Sequence, residues 1–123
     1  MGRYSDDLRL ATISRISTAP LDSRAGPFSL VRGIKGLQTW LDRLWQSNAG
    51  YYVGEWHYHP FSSPRPSRRD VRQMRQIART DDYECAAPIL LILGGDPAVE
   101  WQLRLEVFTR VGQRIVLEPV ARL

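Results

Sequence analysis

Hydrophobic positions recur along the chain with two periods. Leu37, Trp40, Leu41, Leu44 and Trp45 fall at i, i+3, i+4, i+7 and i+8, the apolar stripe of a helix, and Asn48-Ala49-Gly50 supplies its stop. A second helix is expected from Ser67 to Thr80, with Val71, Met74, Ile77 and Ala78 as its buried side. Alternation of period two is cleanest where Val99, Trp101, Leu103, Leu105 and Val107 interleave with Glu100, Gln102, Arg104 and Glu106, the pattern of a half-buried strand. Pro88 to Leu93 is a continuous aliphatic run, expected as a central strand buried on both faces. Leu8 to Ser17, Tyr51 to His59 and a segment around Ile115 to Leu117 also read as strands. Between them, Thr18 to Gly33 carries Pro20, Gly26, Pro27 and Gly33 and reads as a long irregular connection. Pro60, Pro64 and Pro66 break the chain before the second helix, and Gly94-Gly95-Asp96-Pro97 has turn chemistry. The order β, α, β, α, β, β, β predicts an α/β or α+β sandwich. Trp40, Leu41, Leu44 and Trp45 are expected to be buried against the sheet that contains Pro88 to Leu93.

Composition narrows the class. A length of 123 residues fits one domain, and 43% hydrophobic residues with four Trp and five Tyr argue against disorder. No apolar run approaches the roughly 20 residues needed to span a bilayer, and the start has no signal-peptide core. One cysteine, Cys85, excludes an internal disulfide framework and fits a reducing cytoplasm; it reads as a small half-buried residue rather than a ligand or nucleophile. The net charge is +4, carried almost wholly by arginine, since Lys35 is the single lysine. That balance permits an acidic or nucleic-acid partner and selects neither. Arg65, Arg68, Arg69, Arg72, Arg75 and Arg79 crowd one loop and helix. They read first as a solvated face, with an acidic partner or phosphates as the alternative; no aromatic residues interleave to stack on single strands.

The chemistry concentrates between the aromatic-rich strand and the second helix. Residues two apart on a strand share a face, so His57 and His59 project together. Two neutral imidazoles suit a borderline metal such as zinc, and Asp70, in the first turn of the next helix, is the candidate third ligand. The loop Phe61 to Pro66 is long enough to bring that turn over the strand end. Three protein ligands leave a fourth position open, as in catalytic rather than structural zinc. Ser67-Arg68-Arg69-Asp70 also reads as a capping box, with Ser67 as N-cap and Asp70 at N3. The two roles are compatible, because a capped turn holds its aspartate rigidly.

Together these residues spell His57-x-His59-Pro60, six residues, then Ser67-x-x-Asp70. This resembles the JAMM motif of the JAB/MPN family of zinc metalloproteases at every fixed position and in both spacings. Gly54-Glu55-Trp56 before it and Leu90-Leu91-Ile92-Leu93-Gly94-Gly95 after it also look like prokaryotic members. The resemblance implies a three-layer α/β fold, a JAB/MPN-like sheet flanked by helices as in cytidine deaminases, over a single domain 1–123. It implies Zn2+ held by His57, His59 and Asp70, with Ser67 stabilising the tetrahedral intermediate. It further implies a peptidase or isopeptidase acting on a protein substrate, a ubiquitin-like tail or conjugate. Neither a nucleic-acid nor a membrane partner is expected, and the oligomeric state stays open.

The front of the chain departs from the family. Members place a catalytic Glu on an early strand in a stretch like Glu-x-Gly-Gly-x-Leu-x-Gly, whereas this chain opens on Met1-Gly2-Arg3-Tyr4, like that stretch's tail. The expectation is therefore an N-terminally truncated domain with weakened activity, because the attacking water needs a base. Glu55 is the candidate substitute, on the same strand face as His57 and His59, its Cα about 6.6–6.8 Å from that of His57 by strand rise. Asp6 and Asp7 rank below it. Two rivals keep the motif: a non-catalytic MPN interaction module, and a RadC-like DNA-associated protein.

Overall fold

A computed structural model describes residues 1–18, 24–26, 29–31, 36–48 and 50–120. Pro20, Pro27, Gly33 and Ala49, which enter the sequence reading above, lie outside the described residues. The protein is mixed α/β and divides into two compact units, Met1–Tyr52 and Val53–Leu123.

In the first unit, strand β1 (Gly2–Tyr4) pairs antiparallel with β2 (Ala11–Ile13), Gly2 opposite Ile13. Asp7 closes the turn between them: its Oδ1 accepts from Ser5 Oγ at 2.6 Å and from the Arg9 amide at 3.1 Å. Those bonds, from Ser5 first, pull the exposed Asp7 carboxyl below its ordinary pKa. The strand expected from Leu8 to Ser17 is thus shorter, because its first residues belong to this turn. A second antiparallel pair, β3 (Arg24–Gly26) and β4 (Ser29–Val31), falls inside the stretch expected to be irregular. Three-residue strands offer too few positions for alternation to show.

Helix α1 (Leu37–Gln46) has the bounds its stripe predicts and stops at Ser47, followed by Asn48 at φ 55°. Its burial differs from expectation. No residue of α1 is buried, and Trp45 is 63% exposed. The stripe residues Leu37, Trp40, Leu41 and Leu44 are half-buried, so the stripe marks the less exposed side of an amphipathic helix. Tyr51, read as the start of a strand, instead bridges β1, exchanging 2.9 and 3.0 Å backbone hydrogen bonds with Gly2.

The second unit holds a four-stranded sheet, β5 (Gly54–Pro60), β6 (Ile89–Asp96), β7 (Glu100–Phe108) and β8 (Arg114–Leu117), in that spatial order. β5 and β6 are parallel and joined through α2 (Arg68–Arg79); the later pairs are antiparallel hairpins. Met74, Ile77 and Ala78 of α2 are buried, as are Leu90, Ile92 and Phe108.

The two faces of this sheet differ. Register partners share a face, so Glu55, His57 and His59 stand beside Leu90 and Ile92, and beyond them Arg104 and Glu106. The contact between His57 and Asp70 places α2 over that face. The opposite face carries buried Ile89 at one end and, beyond it, Trp56, Tyr58, Leu91, Leu93, Trp101 and Leu103, none of them buried. The regular alternation of β7 therefore resolves against its hydropathy: Trp101 and Leu103 are 52% and 48% exposed, whereas Glu106 is 2% exposed. Glu106 is tolerated there because Arg104 Nε lies 2.9 Å from its Oε2 and Arg114 lies 3.0 Å from its Oε1. β6 is buried on both sides only at its start, where Ile89 is buried on the face opposite Leu90; further along that face Leu91 and Leu93 are half-buried.

Candidate metal centre

The site begins with the end of β5. The strand runs through Pro60, so His57 and His59 keep a common face, their rings 6.5 Å apart and inclined by 26°. The chain then leaves the sheet through Phe61, which takes φ 55°, and folds back over β6. The Phe61 amide donates to Gly95 O at 3.0 Å and the Gly95 amide to Ser62 O at 2.8 Å. Gly94 makes this approach possible. A Cβ there would lie 2.6 Å from Ser62 O and 2.9 Å from Pro64 N. Gly94 and Gly95, read from sequence as a turn, are strand residues that seat the loop.

The seated loop delivers the N-terminus of α2 beside the histidines. Ser67 Oγ accepts from the Asp70 amide at 3.1 Å, and Asp70 Oδ2 accepts from the Ser67 amide at 2.7 Å, both halves of a capping box. The same carboxylate meets both imidazoles: Oδ1 lies 2.9 Å from His57 Nδ1, and Oδ2 3.5 Å from His59 Nε2. Burial pushes the Asp70 carboxyl up, but bonds from His57 and from the Ser67 amide and hydroxyl more than offset it and hold the pKa at about 2. The capping and ligand readings of Asp70 thus describe one geometry.

His57, His59 and Asp70 each offer a ligand atom, and these atoms lie within 4.8 Å of one another. The donor set, two imidazoles and a carboxylate on a strand and a capped helix, fits a divalent ion of zinc's type. Among the described residues no other group of three His, Cys, Asp or Glu comes together in this way. Glu55 shares the face but stands outside the group, and Cys85 is buried away from it. Asp7 is engaged in the β1–β2 turn described above.

Comparison with known proteins agrees with this geometry. The family of prokaryotic homologs of the JAB domain matches residues 12–105. The chain belongs to the Prok-JAB family. This Prok-JAB chain is 44% identical over 120 residues to a CD-NTase/cGAS isopeptidase of Enterobacter hormaechei subsp. hoffmannii (strain UCI 50). That alignment covers 98% of the chain and 66% of the relative, so the chain spans a little under two thirds of that protein. It is 38% identical over 47 residues to a probable metalloprotease, y4qB, of Sinorhizobium fredii (strain NBRC 101917 / NGR234), covering 37% of the chain and 29% of the relative. No solved structure matches it. No helix among the described residues is long and apolar enough to cross a membrane.

Proposed function

We propose that this Prok-JAB chain carries the centre of a zinc-dependent peptidase or isopeptidase. His57, His59 and Asp70 hold the ion, and a peptide or isopeptide bond of a protein substrate is cut beside them. The convergence of three ligand atoms within 4.8 Å carries the reading. A bound zinc supplies Lewis acidity, which polarises a carbonyl and makes water acidic enough to attack near neutral pH.

The residues of the chain do the rest. Asp70, fixed by the Ser67 amide, keeps its carboxylate ionised and rigid for binding. Ser67 Oγ accepts from the Asp70 amide, and its own proton, which in the metal-free site turns to the Asp70 carboxylate, is the one donated to the oxygen that gains charge when the carbonyl is attacked. Glu55, two residues before His57, is the base candidate that takes the proton of the water and returns it to the leaving amine. We take the substrate to be a protein conjugate, because the relative is named a CD-NTase/cGAS isopeptidase; a ubiquitin-like tail or conjugate is what the JAMM resemblance adds. Cys85, the single cysteine and a buried one, agrees with action in the reducing cytoplasm.

The test is cleavage of such a conjugate by the zinc-loaded chain, followed on denaturing gels. Cleavage should stop with a chelator, return with zinc, and be lost in His57→Ala. Cleavage that persists in His57→Ala and Asp70→Ala, or none at all by the zinc-loaded chain, would overturn the reading. Glu55→Gln then decides the base: unchanged turnover excludes Glu55.

A further inference from the structure

A second feature of α2 lies on the side turned away from Asp70. Arg68, Arg72, Arg75 and Arg79 stand at i, i+4, i+7 and i+11, a straight row along the helix. The row is one wall of an open groove of about 690 Å³, which Arg114 of β8 also lines. No acidic side chain lines that groove, and among the described residues none of the four α2 arginines makes an ion pair. Arg114 is partly satisfied by Glu106, so the unbalanced charge is that of the helix.

Such a row works against the free protein. Like charges at i, i+4 repel, and Arg68 places a cation at the positive end of the helix dipole, where an anion is favoured. Asp70 is the single acidic residue of α2, and it is committed to the opposite side. A solvated face would not need a wall; here the arginines share a concavity with Val71 and Arg114. An anion laid in the groove would relieve the repulsion along its whole length.

We propose that this groove docks an acidic, extended segment of a partner protein. Twelve helical residues span about 18 Å, the reach of five or six residues of extended chain. Val71 and Pro66 offer apolar contact between the charges, and no aromatic side chain is present on which bases could stack. The inference stands apart from the peptidase reading, because occupancy is read as binding and needs no metal.

The experiment measures fluorescence polarisation of a fluorescein-labelled peptide of alternating Glu and Ala, titrated with the full chain at low and at physiological salt. Binding should weaken with salt. The double variant Arg72→Glu, Arg75→Glu should bind about tenfold more weakly or worse, because it sets like charges against the peptide. Arg72→Gln with Arg75→Gln should lose less. The control pair Arg9→Glu, Arg15→Glu, both exposed and outside the groove, makes the same change in net charge and should bind as wild type. Equal loss in both charge-reversed pairs, or no binding by wild type, overturns the proposal. So does a single-stranded oligonucleotide of matched charge that binds more tightly than the peptide through the same arginines.

Discussion

Ser67 and Asp70 cap one another, amide to carboxylate at 2.7 Å and amide to hydroxyl at 3.1 Å, and the carboxylate so held is the one that faces His57 and His59. A local helix-starting device therefore doubles as the positioning element of the candidate metal centre. The same arrangement lets stability and chemistry be separated by substitution.

Ser67→Ala should destabilise the metal-free protein by about 1 kcal/mol, and Ser67→Gly by only a few tenths, since glycine is a tolerable N-cap. Both remove the hydroxyl. If Ser67 also donates to the reacting oxygen, both variants should lose conjugate cleavage to a similar, large extent despite their different stabilities. Urea denaturation and turnover measured side by side check this; activity that tracks stability alone would leave Ser67 as a cap.

Zinc uptake should need all three ligands. Wild type is expected to bind one ion, and His57→Ala, His59→Ala and Asp70→Ala should each abolish stoichiometric uptake in elemental analysis after dialysis. Undiminished zinc in any of the three would remove that residue from the ligand set. Ligand distances of about 2.0–2.2 Å in a metal-loaded crystal would complete the test.

The low pKa of Asp70 has a stability consequence in metal-free protein. Its carboxyl sits at about 2 in the fold against an ordinary 3.8. A depressed acid contributes stability that is complete above the ordinary value and is lost as pH falls through the folded one. The difference amounts to about 2 kcal/mol. Chelator-treated wild type should therefore exceed Asp70→Asn by about that much near neutral pH, with the gap closing as pH falls from about 4 to about 2. A gap that does not change with pH would mean that the bonds from His57 and Ser67 do not favour the ionised form.

Much of the site was legible in the sequence because its determinants are local. The period of a strand puts His57 and His59 on one face, and the spacing of a capping box sets Ser67 against Asp70, whatever the rest of the chain does. What joins the two pieces is not local. Gly94 and Gly95 seat the intervening loop from another strand, and their dipeptide signature is that of a turn. The alternation of β7 likewise reveals two faces without saying which one a helix covers. Trp101 and Leu103 look like the covered side, yet α2 lies over Glu106. The counter-charges that permit this come from Arg104 on the same strand and Arg114 on the next, a pairing that only register brings about. The stripe of α1 was read correctly as a helix and incorrectly as a buried one, because a moment gives direction and not contact.

The reversal of β7 can be tested by stability. Glu106 is buried with two guanidiniums on its carboxylate, whereas Leu103, three residues earlier on the other face, is about half exposed. Removing the carboxylate deletes charge-assisted bonds to two guanidiniums that keep about a third of their surface in water, so Glu106→Ala should cost about 1.5–3 kcal/mol. Arg114→Ala should cost less, since Arg104 still meets the carboxylate and Arg114 is itself partly exposed. Leu103→Ala, which exchanges one partly solvated side chain for another, should stay below about 1 kcal/mol, unlike a buried leucine, where the loss is about 2–5 kcal/mol. Leu90→Ala supplies that buried reference on the face shared with Glu106. The order expected in urea unfolding is Glu106→Ala and Leu90→Ala far below wild type, Arg114→Ala between, Leu103→Ala near wild type. The opposite order for Leu103 and Glu106 would mean that hydropathy, not the ion-paired carboxylate, marks the face of the sheet that α2 covers.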